Sequence, residues 1–194
     1  MIEHVRKIFF GLDIAGFNQT DRTDLACLTM RQGLYEALGH ALAAGGQGAE
    51  SYDLLDRGDG IMAVIDDSAG IHTLARTVVP ALAAAIHEYN GAAGPGAQIR
   101  LRAALHHGDA FRDDHGYVGR QVSHAFRLLD GPELRGILSA SAAVLVLAVS
   151  ESAWHILEPS GSGESDYADI LISTKEHTAR AWVAEFRAAP ALVR

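Results

Sequence analysis

The order of strand-like and helix-like segments is the feature that most constrains how this chain can fold. Short apolar runs rich in β-branched and aromatic residues predict strands at residues 5–12, 51–55, 61–65 and 99–107. Apolar residues at helical spacing predict one helix at residues 22–43 and a second that begins after residues 66–68 and extends to residue 86. This order predicts an α+β fold with a ferredoxin-like βαββαβ core.

The C-terminal part of the chain adds further elements to this core. We expect a helix at residues 119–129, another at 139–149, a Gly/Ser-rich surface loop at 159–165, and a closing antiparallel pair at 169–173 and 180–186. A chain of 194 residues suits one domain with a substantial core. The sequence therefore predicts a single domain over residues 1–194, with its core at about residues 5–186.

Charge and composition limit the partners. The net charge of -8 argues against a general nucleic-acid-binding surface, which needs clustered Lys and Arg. Since no run of about 18 apolar residues occurs, we expect neither a transmembrane helix nor a membrane partner. The single cysteine, Cys27, cannot form an internal disulfide, and the N-terminal residues lack a cleavable signal pattern. We therefore expect a cytoplasmic protein.

Two aspartates lie at junctions between predicted elements. Asp13 ends the first strand, and Asp59 lies in the hairpin between the second and third. In a ferredoxin-like sheet the first and third strands are neighbours, so the two carboxylates are expected to converge. Paired carboxylates suit Mg²⁺ or Mn²⁺, and two such ions can activate a hydroxyl and stabilise a leaving phosphate. The backbone amides of Ala15, Gly16 and Phe17 precede a helix, and they are candidates to donate hydrogen bonds to a phosphate.

Asp at a strand end and Asp-Gly in a hairpin are also common turn chemistry. A resemblance over several motifs favours the functional interpretation. GLDIAGF at 11–17 and RGDGIMAVI at 57–65 resemble the two metal motifs of the class III adenylate and guanylate cyclases. Residues 99–108 resemble the strand that follows in that family, and GRQVSHAFRLL at 119–129 resembles the family helix that carries an Asn and an Arg.

The resemblance implies roles for individual residues. Asp13 and Asp59, with the Ile14 carbonyl as a third ligand, would hold two divalent cations, Mn²⁺ or Mg²⁺. Arg127 falls on the arginine that steadies the phosphate in the transition state, a role that suits a planar and permanently charged guanidinium. The family also implies a homodimer with sites at the subunit interface and a nucleoside triphosphate substrate.

Departures from the family pattern concern the base. Leu55 stands where purine cyclases carry a base-reading Lys, Gly116 where they carry its partner, and Ser123 where they carry the Asn. In this the chain is similar to the bacterial pyrimidine (uridylate and cytidylate) cyclases of anti-phage defence. Tyr117 and Arg120 lie beside Gly116 and are candidate base contacts, since arginine donates well to the carbonyls of uracil.

The function that follows from the resemblance is a uridylate cyclase, which converts UTP to cyclic UMP and pyrophosphate as a defence signal. A cytidylate cyclase, a purine cyclase with unusual base contacts, and a catalytically silent nucleotide-binding or dimerisation module stay open as alternatives. Three further residues are weaker candidates for phosphate contacts: Arg57, Arg112 and Lys175. We expect His106 and His107 to be structural, because neighbours on a strand point to opposite faces.

Overall fold

The structure is a computed structural model that describes residues 1–158, 166–173 and 178–187. The predicted loop at residues 159–165 and the candidate phosphate contact Lys175 lie outside the described residues. The strands are β1 Glu3–Ile14, β2 Tyr52–Asp56, β3 Gly60–Asp66, β4 Leu101–Asp113, β5 Gly116–Val118, β6 Leu145–Ser150, β7 Ala168–Ser173 and β8 Thr178–Phe186. The helices are α1 Asp24–Ala44, α2 Ile71–Thr73, α3 Val79–Ala92, α4 Arg120–Asp130, α5 Pro132–Ala140 and α6 Glu151–Leu157, and a π-helical segment, Leu74–Val78, joins α2 to α3.

One sheet of eight strands organises the described residues, in the order β2-β3-β1-β4-β6-β8-β7, with β5 paired to β4. Strand β1 is antiparallel to both β3 and β4, and β2 is antiparallel to β3. The order β2-β3-β1-β4 is that of a ferredoxin-like sheet, with two helical segments between its strands. The predicted α+β fold class is thus confirmed.

Alternation along β1 divides the molecule into two faces. The even-numbered side chains Ile8, Phe10, Leu12 and Ile14 belong to the larger core cluster, which also contains residues of α1, α3 and α6. The odd-numbered Phe9 packs in a separate cluster with residues of α4. Gly11 is covered by Leu129 of α4, since a Cβ added to Gly11 would lie 2.6 Å from Leu129 Cδ1. Asp13 therefore points to the same side of the sheet as α4.

The prediction of a helix at residues 139–149 is wrong. Helix α5 ends at Ala140, and Leu145–Ser150 form strand β6, which pairs in parallel with β4. All six residues of β6 are buried. A parallel strand that is covered on both faces has a continuous apolar sequence with no alternation, and periodicity alone does not distinguish it from a buried helix.

The closing strands and the first helix lie close to their predicted positions. The closing pair predicted at residues 169–173 and 180–186 is the antiparallel pair of β7 and β8. Helix α1 begins after Thr23, whose hydroxyl accepts the amide of Ala26, two residues later than the predicted start. Among the described residues, no helix combines the length and the apolar character that crossing a membrane requires.

Candidate functional site

The β1 end and the β2–β3 hairpin bring Asp13 and Asp59 together. Asp13 lies opposite Gly60 in the β1–β3 register, and the amide of Ile14 donates to the carbonyl of Asp59 at 2.9 Å. Gly60 permits this approach, because a Cβ there would lie 2.2 Å from the carbonyl oxygen of Leu12. The glycine thus makes room for the neighbouring strand β1.

Arg102 is the partner of Asp13 that sequence reasoning missed. It lies opposite Asp13 in the β1–β4 register, and its Nε donates to Asp13 Oδ2 at 2.9 Å, with Nη2 bonded to the same oxygen. The two side chains are only 11% and 18% exposed. Arg102 Nη1 is buried and has no partner among the described residues. The signal was present as a charged residue among the apolar residues Leu101, Ala103 and Ala104 at the start of β4.

Burial raises the pKa of the Asp13 carboxyl above its usual value. The Arg102 guanidinium opposes that rise, whereas the negative charges of Asp59 and Asp130 add to it. Negative charge is therefore concentrated around a carboxylate that is partly shielded from solvent. A cation bound between the two aspartates would relieve this repulsion.

In the loop after Ile14, two of the three candidate amides already donate hydrogen bonds to backbone carbonyls. The amide of Ala15 donates to the carbonyl of Arg100 at 2.9 Å. It is therefore not available for the predicted hydrogen bond to a phosphate. The amide of Phe17 donates to the Ile14 carbonyl at 3.3 Å, the oxygen that the resemblance assigns to a metal. Gly16 lies between them at a φ of 66°, a conformation that favours glycine. The Gly16 amide is thus the best placed of the three.

A cleft of about 860 Å³ opens beside this loop. Its lining includes the loop Ile14–Gln19, Asp59 and four arginines, which are Arg22, Arg100, Arg102 and Arg135. Arg100 is committed to fold stability, since its guanidinium donates to the carbonyls of Leu138, Ser141 and Ala143. A cleft with a carboxylate at one wall and several guanidinium groups suits a polyphosphate and its counterions. A larger cleft, about 1210 Å³, borders Trp154 and Tyr167 and includes neither aspartate.

Helix α4 presents three candidate residues in one row. Its buried residues are Val122, Ala125, Leu128 and Leu129. Arg120, Ser123 and Arg127 follow one another at spacings of three and four, so they lie on the other side of the helix. Arg120 and Ser123 are exposed, and Arg127 is half-buried. The row is thus directed away from the sheet that carries Asp13.

The predicted base contacts Leu55 and Tyr117 belong to one cluster. Both are half-buried and pack, with Phe126 of α4, against the core residues around Phe9. The Tyr117 hydroxyl donates to Asp53 Oδ2 at 2.6 Å. Burial, followed by the hydrogen bond to Asp53, raises the pKa of Tyr117 well above its usual value. The phenol therefore keeps its proton and has only acceptor capacity left for a base.

Two arginines that were candidate phosphate contacts lie at the edges of this cluster. Arg112 pairs with Asp53, Nη2 to Oδ2 at 3.3 Å. The guanidinium of Arg57 lies over the ring of Phe126, 4.2 Å from its centroid. Arg57 is two residues from Asp59, so this stacking joins the hairpin of Asp59 to helix α4.

His106 and His107 point to opposite sides of β4, as expected. His106 is 2% exposed and bonds to Ser150 and Gln121, whereas His107 Nε2 lies 2.8 Å from Asp67 Oδ1. In the described part of the chain, no three side chains of His, Cys, Asp or Glu are grouped as metal ligands. A metal at Asp13 and Asp59 would depend on those two carboxylates and on backbone or substrate oxygens.

Comparison with solved structures shows the same fold in cyclase domains. The guanylyl cyclase Cya2 superposes with a TM-score of 0.69 at 14% identity, over 98% of this chain and 96% of that one. An adenylate/guanylate cyclase/hydrolase from Silicibacter pomeroyi gives 0.67 at 21% identity, over 97% and 100%. A dimeric guanylyl cyclase domain from the aquatic fungus Blastocladiella emersonii gives 0.58 at 17%, over 95% and 97%.

Sequence comparison does not assign the chain to a family. The chain matches no protein-family model and none of the curated proteins. At these identities, structural similarity establishes the architecture and leaves the chemistry to the residues of the site. The chain has the fold of adenylyl and guanylyl cyclase domains, over nearly its full length and theirs.

Proposed function

We propose that the protein is a nucleotidyl cyclase, which converts a nucleoside triphosphate to a cyclic monophosphate and pyrophosphate. One observation carries this proposal: Asp13 lies next to Asp59 on neighbouring segments of the fold, beside a cleft that is lined by Asp59, Arg102 and the turn at Gly16. The solved cyclase structures of the same fold support it. UTP is the proposed substrate, with CTP as the nearest alternative.

Divalent cations, Mn²⁺ or Mg²⁺, fit the aspartate pair. Burial raises the pKa of Asp13, and the like charges of Asp59 and Asp130 add to that rise; a bound cation would remove this repulsion. Asp13, Asp59 and the Ile14 carbonyl would hold two such ions. When bound, the ions lower the pKa of the ribose hydroxyl and neutralise the triphosphate.

The side chains of the protein bind and orient the substrate. In the reaction, the ribose 3′-oxygen forms a bond to the α-phosphorus and loses its proton to solvent, and the bond from that phosphorus to the β-phosphate bridging oxygen breaks. Arg102 and the Gly16 amide bind the triphosphate, which requires Arg102 to exchange part of its bond to Asp13 for phosphate oxygens. Arg127 stabilises the charge that develops at the α-phosphate.

In a homodimer, residues of two subunits would form each site. Because the row of Arg120, Ser123 and Arg127 is directed away from the sheet that carries Asp13, we infer that each site joins this row of one subunit to the aspartates of the other. Exposed apolar side chains support an interface: Leu25 and Leu28 on α1, and Phe111 and Val118 on the β4–β5 extension. One of the structures with the same fold is a dimeric guanylyl cyclase domain.

A pyrimidine suits the residues at the base position. Leu55 offers no polar group, and Leu55 and Tyr117 narrow the space beside α4. Since the Tyr117 hydroxyl donates its hydrogen bond to Asp53, its oxygen would accept from an N–H of the base, and Arg120 or Arg112 would donate to the carbonyls of uracil. The cyclic product would serve as an anti-phage signal, in a cytoplasmic protein with no nucleic-acid partner.

The deciding experiment offers purified protein each of the four nucleoside triphosphates with Mn²⁺ and identifies the product by mass spectrometry. We expect cyclic UMP as the main product. Cyclic AMP or cyclic GMP alone would refute the pyrimidine assignment. Asp59→Ala should abolish turnover and leave the dimer intact, and Arg120→Ala should change base preference more than metal dependence.

A second candidate, a catalytically silent nucleotide-binding module, is favoured by one observation: Arg102 occupies the Asp13 carboxylate. This candidate predicts nucleotide binding with no cyclic product from any of the four triphosphates. Calorimetric titration of UTP in the presence of Mn²⁺, compared with the turnover assay, separates the two.

A further inference from the structure

A buried histidine joins three elements of the fold. His106 of β4 is 2% exposed, and its Nδ1 lies 2.8 Å from Ser150 Oγ at the end of β6. Its Nε2 lies 2.9 Å from Oε1 of Gln121, in the first turn of α4. The ring of Phe9 stacks on the imidazole at 6.1 Å. We call His106, Ser150 and Gln121 the His106 network.

The network has a defined charge and tautomer. Burial, together with the neighbouring His124 of α4 and His107 of β4, lowers the pKa of His106 to about 4. The imidazole is therefore neutral near pH 7, with one donor and one acceptor nitrogen. Because the Gln121 oxygen accepts, Nε2 carries the proton, and the Ser150 hydroxyl donates to Nδ1 while it accepts the amide of Ala153 at 3.3 Å.

The start of α4 depends on this network. Its N-cap residue is Gly119, which has no side chain to accept the orphan amides of the first turn. Gln121 also lies directly over β4, since a Cβ at Gly108 would be 2.8 Å from Gln121 Cγ. The first turn is thus fixed to β4 by one polar contact and one close packing contact.

The other end of α4 is fixed differently. Leu129 covers Gly11 of β1, so this end is held by packing, whereas the first turn combines packing of Val122 and Gln121 with the hydrogen bond from His106. Loss of the contact at the first turn would loosen the start of α4, whose carbonyls accept the amides of residues 124–127. Arg120, Ser123 and Arg127 lie on this helix, so their positions depend on its first turn.

We propose that His106, acting through Gln121, is a positioning residue that sets where the row of Arg120, Ser123 and Arg127 meets the nucleotide. The proposal rests on the proposed function for the nucleotide, but the dependence of α4 on Gln121 can be measured without turnover. A misplacement of about 1 Å at a reacting group can cost about 100-fold in rate, so a small displacement of α4 is sufficient to matter.

Two variants of Gln121 test the proposal. Gln121→Met removes the hydrogen bond and keeps the length of the side chain, and Gln121→Glu keeps an acceptor and adds a charge beside His106. The matched control is Gln47→Met, because the side-chain amide of Gln47 also takes part in hydrogen bonds, with Gly45 and Ser51, away from α4. Each variant is made in the full chain.

For Gln121→Met we expect kcat to fall roughly tenfold while KM stays within about twofold of the wild-type value. Hydrogen exchange at the amides of residues 124–127 should accelerate at least about tenfold. The melting temperature should stay within about 3 °C, as for Gln47→Met, which should show wild-type kcat and wild-type exchange in α4. Wild-type kcat and wild-type exchange in Gln121→Met would overturn the proposal.

Gln121→Glu gives an independent signature. A carboxylate at this position favours imidazolium, so the pKa of His106 should rise, and the pH–rate profile should gain a step between about pH 5 and 7 that the wild type lacks. Nitrogen-15 spectra of His106 report its titration directly, and an unchanged His106 titration would contradict the contact. If the wild type forms no cyclic nucleotide, the proposed function fails, and exchange and spectra alone decide whether Gln121 positions α4.

Discussion

Arg102 binds Asp13 through two nitrogens across the β1–β4 pair, and both side chains are largely buried. This pair controls two properties of the site. It compensates the charge of Asp13 in the absence of a ligand, and it keeps a guanidinium beside the cleft where a triphosphate would bind. Arg102 is therefore both a structural partner and a candidate ligand-binding residue.

The first prediction concerns the energy of this pair. Arg102→Met should lower the free energy of unfolding by about 3 kcal/mol, because it leaves a partly buried carboxylate without a partner. Asp13→Asn in the same chain should restore part of that loss, since the neutral amide costs less to bury. Urea denaturation of the wild type, both single variants and the double variant, all in chelator, gives the coupling energy. Additive losses would show that the pair contributes nothing.

The second prediction concerns the hairpin glycines. Gly60→Ala should destabilise the protein by about 3 kcal/mol, because its Cβ would overlap the Leu12 carbonyl and push β3 from β1. Gly58→Ala should cost only about 1 kcal/mol, since Gly58 has a φ of 80° but open space around it. Gly96→Ala, with neither constraint, is the control and should change stability by less than about 0.5 kcal/mol. Equal losses at Gly58 and Gly60 would contradict the packing argument.

The third prediction follows from the buried imidazole. The pKa of His106 is lowered to about 4 in the folded protein, whereas an unfolded histidine titrates near 6.5. The unfolded chain therefore binds more protons between about pH 4 and 6.5, and the free energy of unfolding rises with pH across this window by about 3 kcal/mol. This stabilisation is fully present above about pH 6.5 and is lost as the pH falls to about 4.

Urea denaturation at a series of pH values, for the wild type and for His106→Asn, isolates the contribution of His106 from that of the carboxyl groups. The slope between about pH 4 and 6.5 should be smaller in the variant. Parallel curves for the two proteins would show that His106 titrates normally in the folded state.

The fourth prediction concerns Tyr117. Tyr117→Phe removes the acceptor that we assign to the base and the hydrogen bond to Asp53, so kcat/KM for the preferred pyrimidine triphosphate should fall about tenfold. The values for ATP and GTP should change less than about twofold. Tyr89→Phe is the control, because its hydroxyl donates to the Ala97 carbonyl instead. A uniform loss over all four triphosphates would indicate a structural role for Tyr117.

Periodicity in the sequence was sufficient to predict the core of the fold and the convergence of Asp13 with Asp59. Strand β1 and the hairpin carry their own signals, an apolar run that ends in Asp and an Asp-Gly turn, and the ferredoxin-like order then makes β1 and β3 neighbours. Strand β6 could not be predicted in the same way. Its continuous apolar sequence reflects burial on both faces, which only the assembled sheet reveals.

The partners of the site residues were beyond the sequence for a similar reason. Arg102 was visible as a charge within a strand, but its pairing with Asp13 depends on the register between β1 and β4. The bond from Tyr117 to Asp53 joins β5 to β2, two strands that are not neighbours in the sheet. Contacts of this kind depend on how the sheet curves, and local sequence patterns carry no information about that.

The β1–β4 pairing has a consequence for how the protein acquires its chemistry. Arg102 and Asp13 are 89 residues apart in sequence, and the helices and the β2–β3 hairpin lie between β1 and β4 along the chain. Closing so long a loop is entropically costly and gives the domain a high contact order. During synthesis Asp13 leaves the ribosome before its partner Arg102. The site is completed only after β4 has emerged and has paired with β1.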